Sequence, residues 1–359
     1  MQRVDVLVVG GGVAGAALVY HLVRAAGPRN GSPPSVMLLE RAPRPGAHAS
    51  GRNARLVLQS VAEPLVRRLT AASARAYAER ADAMGFEPCG SLLLGAEADF
   101  AARRDDRVAS EVVAADAVRA RVPWVDGARF AAALFTPGDG VLDPHRLLAF
   151  YLDGARDRGV EVGCGVEVTA IAGDGPFRVE TSAGPVDAER LVNAGGAWAA
   201  QLAACAGAAP LPLVPHKRHL FLHRVELALG LPYVWHLAWN VYFRRDTEGT
   251  LSCMCDEEPT AELAETVSPG VEERLRERLR PLAPALAESP IERTWACFRT
   301  KAPDALPVIG PDPRLPAFWW VAGLGGYGLG ASWEVGRLAA RALTEGAETL
   351  PPEVLPARF

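Results

Sequence analysis

The first fifteen residues constrain the fold more than any other part of the chain. Val4–Val9 is a continuous apolar run rich in valine, which predicts a strand buried on both faces of a parallel sheet. Gly10, Gly12 and Gly15 follow at once, ahead of a helical pattern. Glycine permits a tight turn at the first position, close approach of a phosphate at the second, and close packing of helix on strand at the third. This order predicts an α/β domain of the Rossmann type.

The start of that helix is predicted to hold a phosphate. Val13 and Ala14 place backbone amides at the helix N-terminus, where the helix dipole favours an anion. A second apolar strand, Val36–Leu39, ends in Glu40, whose carboxylate can accept hydrogen bonds from ribose hydroxyls. The interval before this glutamate is longer than usual, and Gly27–Pro34 predicts a surface loop that accounts for the extra length. Together these features predict a bound dinucleotide.

The segment after the predicted ribose carboxylate distinguishes FAD from NAD. A stretch of small residues with a hydroxyl and a glycine follows it, which allows close approach of backbone to a ligand. This pattern resembles that of the FAD-binding members of the glutathione-reductase-like Rossmann folds, where such a loop covers the pyrophosphate and the flavin. The resemblance implies cofactor contacts from Arg41, His48, Ser50, Gly51, Arg52 and Asn53.

Longer motifs extend the resemblance over nearly the whole chain. They are Val66–Ser73, Leu191–Trp198, Pro210–Phe221, Thr294–Gly310 and Trp320–Leu329. In this order they resemble the D-amino-acid oxidase superfamily, which includes glycine oxidases, sarcosine oxidases and D-amino-acid dehydrogenases, and within it most of all the bacterial D-arginine dehydrogenases. The resemblance implies FAD as cofactor and oxidation of a C–N bond next to a carboxylate. It also implies an α/β fold, in which a glutathione-reductase-like Rossmann FAD-binding domain carries an inserted α+β substrate domain built on a mixed sheet.

Three later segments are expected to complete the cofactor site. The strand at Leu191–Asn193 ends in small residues, where backbone can crowd a cofactor. A glycine loop follows the strand Phe318–Ala322 and leads into a helix from about Ala331, whose N-terminus would stabilise negative charge on the flavin. The predicted contacts here are Val168, by backbone to adenine, and Ala194, Gly195, Trp198, Gly325, Gly326, Tyr327, Gly328 and Leu329.

The predicted flavin motifs divide the chain into alternating blocks. Residues 1–83, 143–213 and 299–359 are assigned to the FAD-binding domain, and residues 84–142 and 214–298 to a substrate domain over the flavin. Val271–Leu279 is expected to be a charged, solvated helix. The strands expected in the substrate domain are Phe86–Leu94, Ala131–Thr136, Arg218–His223, Asn240–Arg244 and Thr250–Cys255.

Arg299 is the strongest candidate for a substrate-binding residue. A guanidinium can hold a carboxylate in a bidentate fork and so orient Cα toward the flavin; the alternative is a structural ion pair. By the resemblance, Tyr242 also holds the substrate carboxylate and Arg218 is a second basic residue of the site. A packed strand tyrosine and a surface charge are the alternatives for these two. Hydride transfer from Cα and hydrolysis of the imine would give a 2-oxo acid.

The residues that define arginine specificity are not matched. Leu56, Leu58 and Val61 stand where the D-arginine enzymes have polar side chains, and Ser91 stands near the position of their guanidinium-binding glutamate. A more apolar pocket favours a hydrophobic amino acid or an N-substituted amine.

One cysteine, and the lack of a lysine at one position, bear on the flavin chemistry. Cys297 lies in a segment that resembles the one whose cysteine bonds covalently to FAD in monomeric sarcosine oxidases, with a small buried hydrophobe as the alternative. The oxidases also place a lysine above the flavin, and Thr250–Cys255 offers no counterpart. This favours a dehydrogenase slightly and leaves oxygen or a quinone open as acceptor.

Other classes of function remain as alternatives. They are a flavin-dependent 2-hydroxy-acid dehydrogenase, a biosynthetic tailoring oxidase, and a regulatory or subunit module of the same fold. A net charge of −4 argues against nucleic-acid binding. The six cysteines lack metal-site spacing, no apolar run approaches the ~20 residues that span a bilayer, and no leader pattern precedes the first strand. We therefore expect a cytoplasmic protein without metal or stable membrane insertion.

Overall fold

The computed structural model describes residues 2–25 and 34–359, so the predicted loop at 27–34 lies outside the described residues except for its last position. Within these ranges the strands are β1 (Gln2–Val9), β2 (Val36–Glu40), β3 (Leu56–Val57), β4 (Phe86–Glu87), β5 (Ser91–Gly95), β6 (Glu111–Ala114), β7 (Ala132–Thr136), β8 (Gly140–Leu142), β9 (Glu161–Cys164), β10 (Val168–Ala172), β11 (Phe177–Thr181), β12 (Val186–Asn193), β13 (Val214–His223), β14 (Tyr233–His236), β15 (Val241–Asp246), β16 (Gly249–Cys253), β17 (Glu258–Pro259), β18 (Ile291–Lys301), β19 (Val308–Pro311) and β20 (Phe318–Ala322). The helices are α1 (Val13–Ala25), α2 (Pro64–Ala78), α3 (Ala81–Met84), α4 (Ala115–Arg121), α5 (Pro144–Arg156), α6 (Ala199–Ala206), α7 (Val271–Leu279), α8 (Pro284–Ala287) and α9 (Gly328–Glu345).

The first large sheet is the predicted Rossmann-type sheet. Its strands run in the order β10-β11-β12-β1-β2-β9, and β20 pairs with β12 and β19. The pairs β1–β2, β1–β12, β2–β9 and β12–β20 are parallel. Along β1, Val6 and Val8 pack with α1, α5 and α9, whereas Leu7 packs into a second core on the other face. Burial on both faces explains why these strands are apolar without interruption.

Close contact between backbones brings α1 and α9 together beside this sheet. A side chain at Gly336 of α9 would place Cβ 2.6 Å from the backbone carbonyl carbon of Ala17 in α1. A side chain at Gly15 would place Cβ 2.1 Å from the carbonyl oxygen of Gly10. The predicted role of Gly15, close packing of the helix on the end of the strand, is therefore confirmed.

The second large sheet is mixed, as predicted for the substrate domain. Its order is β17-β13-β16-β15-β14-β5-β7-β6, with β18 on the other side of β13. The pair β14–β5 is parallel, and the other pairs are antiparallel. Strand β18 pairs with β13 from Ile291 to Lys301, so it continues past the predicted change of domain at 299. Division of the chain into two domains at the predicted boundaries stays a proposal.

Several predicted elements of this sheet need correction. The strand expected over Phe86–Leu94 is two strands, β4 and β5, because the chain turns between them at Gly90 with a φ of +81°. Cys253 ends β16 and Cys255 has a φ of +49°, so the two cysteines do not share a strand. Helix α7 has the predicted bounds but is not merely solvated, since Val271, Leu275 and Leu279 are buried in the core of this sheet.

A small sheet, β3-β8-β4, lies where the chain passes between the two large sheets. Beside it, the Asp139 carboxylate is fully buried and accepts hydrogen bonds from the Gln59 amide at 2.8 Å and the Ser91 hydroxyl at 2.7 Å. The Tyr233 hydroxyl lies 3.3 Å from the same carboxylate. Burial raises the pKa of Asp139 to about 7, and these hydrogen bonds oppose the rise.

Replacing Gly336 by alanine should destabilise the protein. The new methyl group meets backbone of α1 at 2.6 Å, and overpacking of this kind costs about 1–3 kcal/mol, partly offset by the better helix propensity of alanine. Gly330→Ala in the same helix is the matched control, because its Cβ would have its nearest neighbour at 3.6 Å. Urea unfolding should show a loss for the first variant and no loss for the second. Equal effects would contradict the close contact between the helices.

Asp139 should make stability depend on pH. Its folded pKa lies above the unfolded value, so its contribution to stability is complete below pH 3.8 and is lost as the pH rises through about 7. Asp139→Asn should therefore gain roughly 2–4 kcal/mol relative to the wild type between pH 4 and pH 7, measured by urea unfolding. Asp82→Asn, at an exposed helical position, is the control. A constant difference between Asp139→Asn and the wild type would show that Asp139 titrates normally.

Candidate active site

A cavity of about 490 Å³ is lined by residues of both large sheets. Fourteen of the predicted site residues line it: Gly12, Val13, Ala14, Ser50, Asn53, Ala194, Arg218, Tyr242, Arg299, Gly325, Gly326, Tyr327, Gly328 and Leu329. The fold therefore brings together the predicted phosphate loop, the late glycine loop and the three predicted catalytic residues. These positions span more than three hundred residues of sequence, and the cavity is where they meet.

The N-terminus of α1 opens into this cavity with free donors. The amide of Val13 donates to the Ser50 hydroxyl at 3.0 Å, whereas the amides of Gly12 and Ala14 have no acceptor within the described part of the chain. Unpaired amides at a helix N-terminus attract an anion. Gly10, with a φ of +119°, makes the turn that directs the loop toward the cavity.

Glu40 stands at the end of β2, directly beside the glycine loop. One of its carboxylate oxygens accepts the amide of Gly11 at 2.8 Å, and the other accepts the amide of Ala42 at 2.8 Å. The carboxylate is 9% exposed. These two amides fix the position at which a ribose would have to meet the carboxylate.

The loop after β2 docks on the glycine loop. The amide of Gly46 donates to the carbonyl of Gly11 at 3.1 Å. Any side chain at Gly51 would meet the carbonyl oxygen of Gly46 at 2.4 Å, so the turn requires glycine there. Asn53 holds the end of the loop by donating to the carbonyl of Ser50 at 2.7 Å. As a result, Ser50 and Asn53 face the cavity.

Four other predicted cofactor residues form a cluster beside the cavity rather than in its lining. The Arg41 guanidinium lies 3.9 Å above the ring of Trp198, and the His48 ring lies 4.5 Å from that ring. His48 Nδ1 and Arg52 Nε approach the two carboxylate oxygens of Glu265 at 3.3 Å and 3.5 Å. Glu265 follows β17, so the second sheet contributes an acid to a loop of the first. Sequence reasoning did not identify this acid.

The late glycine loop allows Arg299 to reach the cavity. Helix α9 begins at Gly328, three residues before the predicted start near Ala331. Gly326 has a φ of +99°, and a Cβ there would lie 2.9 Å from Cδ of Arg299. The arginine side chain therefore passes directly over this glycine. Any other residue at this position would displace the arginine side chain.

Arg299 is a buried cation without an acidic partner. Its side chain is 7% exposed and lines the cavity. Its Nη1 lies 3.0 Å from the sulfur of Cys297 and 3.2 Å from the carbonyl of Phe298, and no carboxylate of the described residues lies within 4.0 Å of it. A buried guanidinium that lacks a counter-ion is costly, so the arrangement favours an anionic ligand.

Arg218 differs from Arg299 in being neutralised by the protein. Its Nε donates to the carbonyl of Asp256 at 3.0 Å, and its Nη2 contacts Glu257 at 2.6 Å. The same carboxylate pairs with Lys301, which also lines the cavity. The alternative of an exposed surface charge does not hold for Arg218, since it is 8% exposed. Sequence reasoning missed Glu257 and Lys301.

The hydroxyl of Tyr242 is affected by the charges of both Arg218 and Arg299. It is 2% exposed and lines the cavity. Burial raises the pKa of its hydroxyl well above 10.0, while the charges of Arg218 and Arg299 oppose the rise. A protonated phenol beside a cation can donate a hydrogen bond to a carboxylate.

The remaining predicted cofactor residues are not part of the cavity lining. Cys297 is fully buried in a cluster with Tyr242 and Cys253, and burial raises the pKa of its thiol, which disfavours the thiolate. Covalent attachment of FAD to Cys297 stays a prediction that its position does not support. Val168 begins β10, and the amide of Gly195 donates to the side-chain oxygen of Asn193 at 3.1 Å.

The part of the cavity that was predicted to hold the substrate is partly apolar. Leu56, Leu58 and Val61 all line the cavity, whereas Ser91 does not, because its hydroxyl is bound to Asp139. One cation in this corner was missed: Arg103, at the end of a 3₁₀ turn, also lines the cavity. Nothing in the local sequence distinguishes Arg103 from its neighbour Arg104.

These residues fit FAD. Free amides at the start of α1 and a second glycine loop leading into α9 line one cavity, and the Glu40 carboxylate is anchored beside the first glycine loop. Groups of these kinds can hold a pyrophosphate, a flavin and a ribose. Among the described residues, no helix is long and apolar enough to cross a membrane, and no group of three His, Cys, Asp or Glu side chains could hold a metal ion.

Comparison with known proteins finds relatives that align with most of the chain. The dimethylglycine dehydrogenase of Rattus norvegicus is 27% identical over 376 residues, an alignment that covers 94% of this chain and 42% of that protein. The chain thus spans 42% of the length of this curated relative. Arginine specificity of the D-arginine dehydrogenase kind finds no support in the matches.

Solved structures share the fold. The L-proline dehydrogenase of P. horikoshii superposes with a TM-score of 0.89 at 24% identity, covering 100% of this chain and 98% of that chain. The glycine oxidase of Geobacillus kaustophilus gives 0.81 at 24% identity, covering 96% of each chain. The model of the family described as FAD dependent oxidoreductase (DAO) matches residues 5–342. The chain belongs to this family, and its cofactor is FAD.

Proposed function

We propose that this protein oxidises the Cα–N bond of an amino acid or an N-substituted amino acid. The observation that carries the proposal is the buried guanidinium of Arg299, which lines the cavity and has no carboxylate partner among residues 2–25 and 34–359. The similar proteins are named for dimethylglycine, proline and glycine. Each of these compounds joins a nitrogen to a carbon that bears a carboxylate, which is the anion that Arg299 would bind.

Arg299 and Tyr242 would orient the substrate. The guanidinium forms a bidentate pair with the carboxylate, and the phenol donates a further hydrogen bond to it. Holding the carboxylate at two points leaves Cα and the amine in one orientation relative to the late glycine loop. FAD, when bound, supplies the acceptor for the hydride that leaves Cα.

The charges of the site would also act on the substrate amine. Arg55, Arg218, Arg299 and Lys301 line the cavity, against the carboxylates of Glu63 and Glu257. An excess of positive charge lowers the pKa of a bound ammonium group, since like charges disfavour the charged form. The amine is then neutral, as it must be for Cα to release a hydride. The imine that results would hydrolyse in water to a 2-oxo acid.

We propose that the protein is a dehydrogenase rather than an oxidase. Lys301 is a lysine that lines the cavity, and its ammonium group pairs with Glu257, which is also bound to Arg218. A lysine neutralised in this way is a weak electrostatic aid to a reaction with oxygen. Comparing the rate of reoxidation by oxygen with that by a soluble quinone separates the two alternatives.

Anaerobic bleaching of the flavin absorbance tests the proposed function. The panel contains D- and L-amino acids, N-methyl amino acids and 2-hydroxy acids. Bleaching by an amino acid or N-methyl amino acid is the expected result. Bleaching by hydroxy acids alone would assign the protein to the 2-hydroxy-acid dehydrogenases. A protein that binds FAD but is bleached by none of these compounds would be a binding module of the same fold.

Arg299→Met should weaken binding of the active substrate by ~3 kcal/mol or more, about a hundredfold, because a desolvated ion pair is lost. The dissociation constant is measured from the flavin spectrum with a non-oxidisable carboxylate. Arg293→Met is the matched control, since Arg293 lies on the same strand, is exposed, and pairs with Glu248 at 2.9 Å. Unchanged binding in Arg299→Met would remove Arg299 from the site.

A further inference from the structure

We propose that the substrate carries a second carboxylate, in addition to the one bound by Arg299, and that Arg103 binds it. This inference rests on the proposed function and narrows the substrate class to amino acids with two acidic groups. The second carboxylate belongs either to the side chain or to a substituent on the nitrogen. Both sources present the same chemistry to a guanidinium, and the experiment below distinguishes them.

Arg103 is the second cation of the cavity without an acidic partner. Its Nη1 donates to the carbonyl of Ser60 at 3.3 Å, and no carboxylate of residues 2–25 or 34–359 lies within 4.0 Å of its guanidinium. The charge of Asp99 raises the pKa of Arg103, but a carboxylate oxygen of Asp99 accepts a hydrogen bond from the amide of Ala96 at 2.8 Å. Burial lowers the pKa of Arg103, and the charges of Tyr327 and Asp99 oppose this shift without reversing it.

Other arginines of this region do have acidic partners. Arg67, on the neighbouring helix, approaches Asp105 at 3.4 Å, and Arg107 approaches the same carboxylate at 2.9 Å. Arg218 contacts Glu257 at 2.6 Å. These three arginines have acidic partners, whereas Arg103 faces the cavity and has none among the described residues.

The two unpaired cations flank the same loop. The side chain of Arg299 passes over Gly326, where a Cβ would lie 2.9 Å from its Cδ. The adjacent residue, Tyr327, is close enough to Arg103 for that charge to lower the pKa of its hydroxyl, against a rise caused by burial. Both guanidinium groups line the same cavity, which has a volume of about 490 Å³. A diacid that bridges them would compensate both charges.

The carboxylates that line the cavity do not take this place. Glu63 caps α2 and accepts the amide of Val66 at 2.6 Å. Glu257 is shared by Arg218 and Lys301. Arg103 also lies in the predicted substrate segment, whereas the free amides for the pyrophosphate belong to α1. These positions favour the substrate, rather than FAD or a protein acid, as the partner of Arg103.

Calorimetric titration of the FAD-loaded protein tests the inference without turnover. The ligands are aliphatic dicarboxylates from malonate to adipate, each with the monocarboxylate of the same number of carbon atoms. One diacid should bind about tenfold or more tightly than its monoacid, as expected for one added charge-assisted pair. Arg103→Met should remove that advantage and leave monoacid binding within about twofold.

Arg104→Met is the matched control, because Arg104 is the exposed neighbour and does not line the cavity. It should keep the advantage of the diacid. The inference is overturned if no diacid binds better than its monoacid, if the advantage persists in Arg103→Met, or if Arg103→Met instead weakens FAD itself. Arg299→Met tests the proposed function separately. It should lose all carboxylate binding, whereas the wild type keeps its preference for the diacid.

Anaerobic bleaching by D-glutamate, D-aspartate and N-carboxymethyl glycine then locates the second carboxylate. Preference for the first two over D-norvaline assigns it to the side chain, and preference for the third over N-methyl glycine assigns it to the nitrogen substituent. In either case Arg103→Met should raise the KM for the diacid by about tenfold and change that for the monoacid little. Equal rises for both would mean that Arg103 has a structural role.

Discussion

A buried positive charge that the protein does not neutralise governs this site. Arg299 comes from β18, which pairs with β13 along its whole length, so the strand is held firmly. The guanidinium is 7% exposed and is contacted by a sulfur and a carbonyl rather than by a carboxylate. Desolvating such a charge costs several kcal/mol unless an anion compensates it. The fold tolerates the cost where a ligand is expected to remove it.

The other elements of the site are arranged around the Arg299 side chain. Gly326 leaves room for the arginine side chain, and the glycine loop that contains it leads into α9. The N-terminus of α1 lines the same cavity and presents free amides from the first strand–helix turn. The dense packing of α1 against α9, set by Gly336, keeps these two helix N-termini in a constant relation. The cofactor loops are thus held by core packing rather than by the ligand.

Much of the cofactor site could be predicted from the sequence because its signals are local. The turn at Gly10, the close packing at Gly15 and the carboxylate at Glu40 each depend on neighbours a few residues away or on a strand end. The elements around them were predicted to within a few residues. The late glycine loop was recognised for the same reason, although α9 begins earlier than expected.

The substrate side could be predicted less well because its charges depend on tertiary contacts. Arg103 and Arg104 are identical in sequence context, and folding alone turns one toward the cavity. The pairing of Arg218 with Glu257 joins two strands of the second sheet, so sequence could not reveal that Arg218 is neutralised and Arg299 is not. Cys297, chosen by resemblance, lies in a buried cluster instead of the cavity lining.

A crystal structure of the FAD-loaded protein with a non-oxidisable carboxylate tests the central claim most directly. We predict that the ligand carboxylate lies within hydrogen-bond distance of both terminal nitrogens of Arg299 and within reach of the Tyr242 hydroxyl. A carboxylate bound elsewhere in the cavity, or an Arg299 side chain paired with the cofactor or with a protein acid, would contradict it.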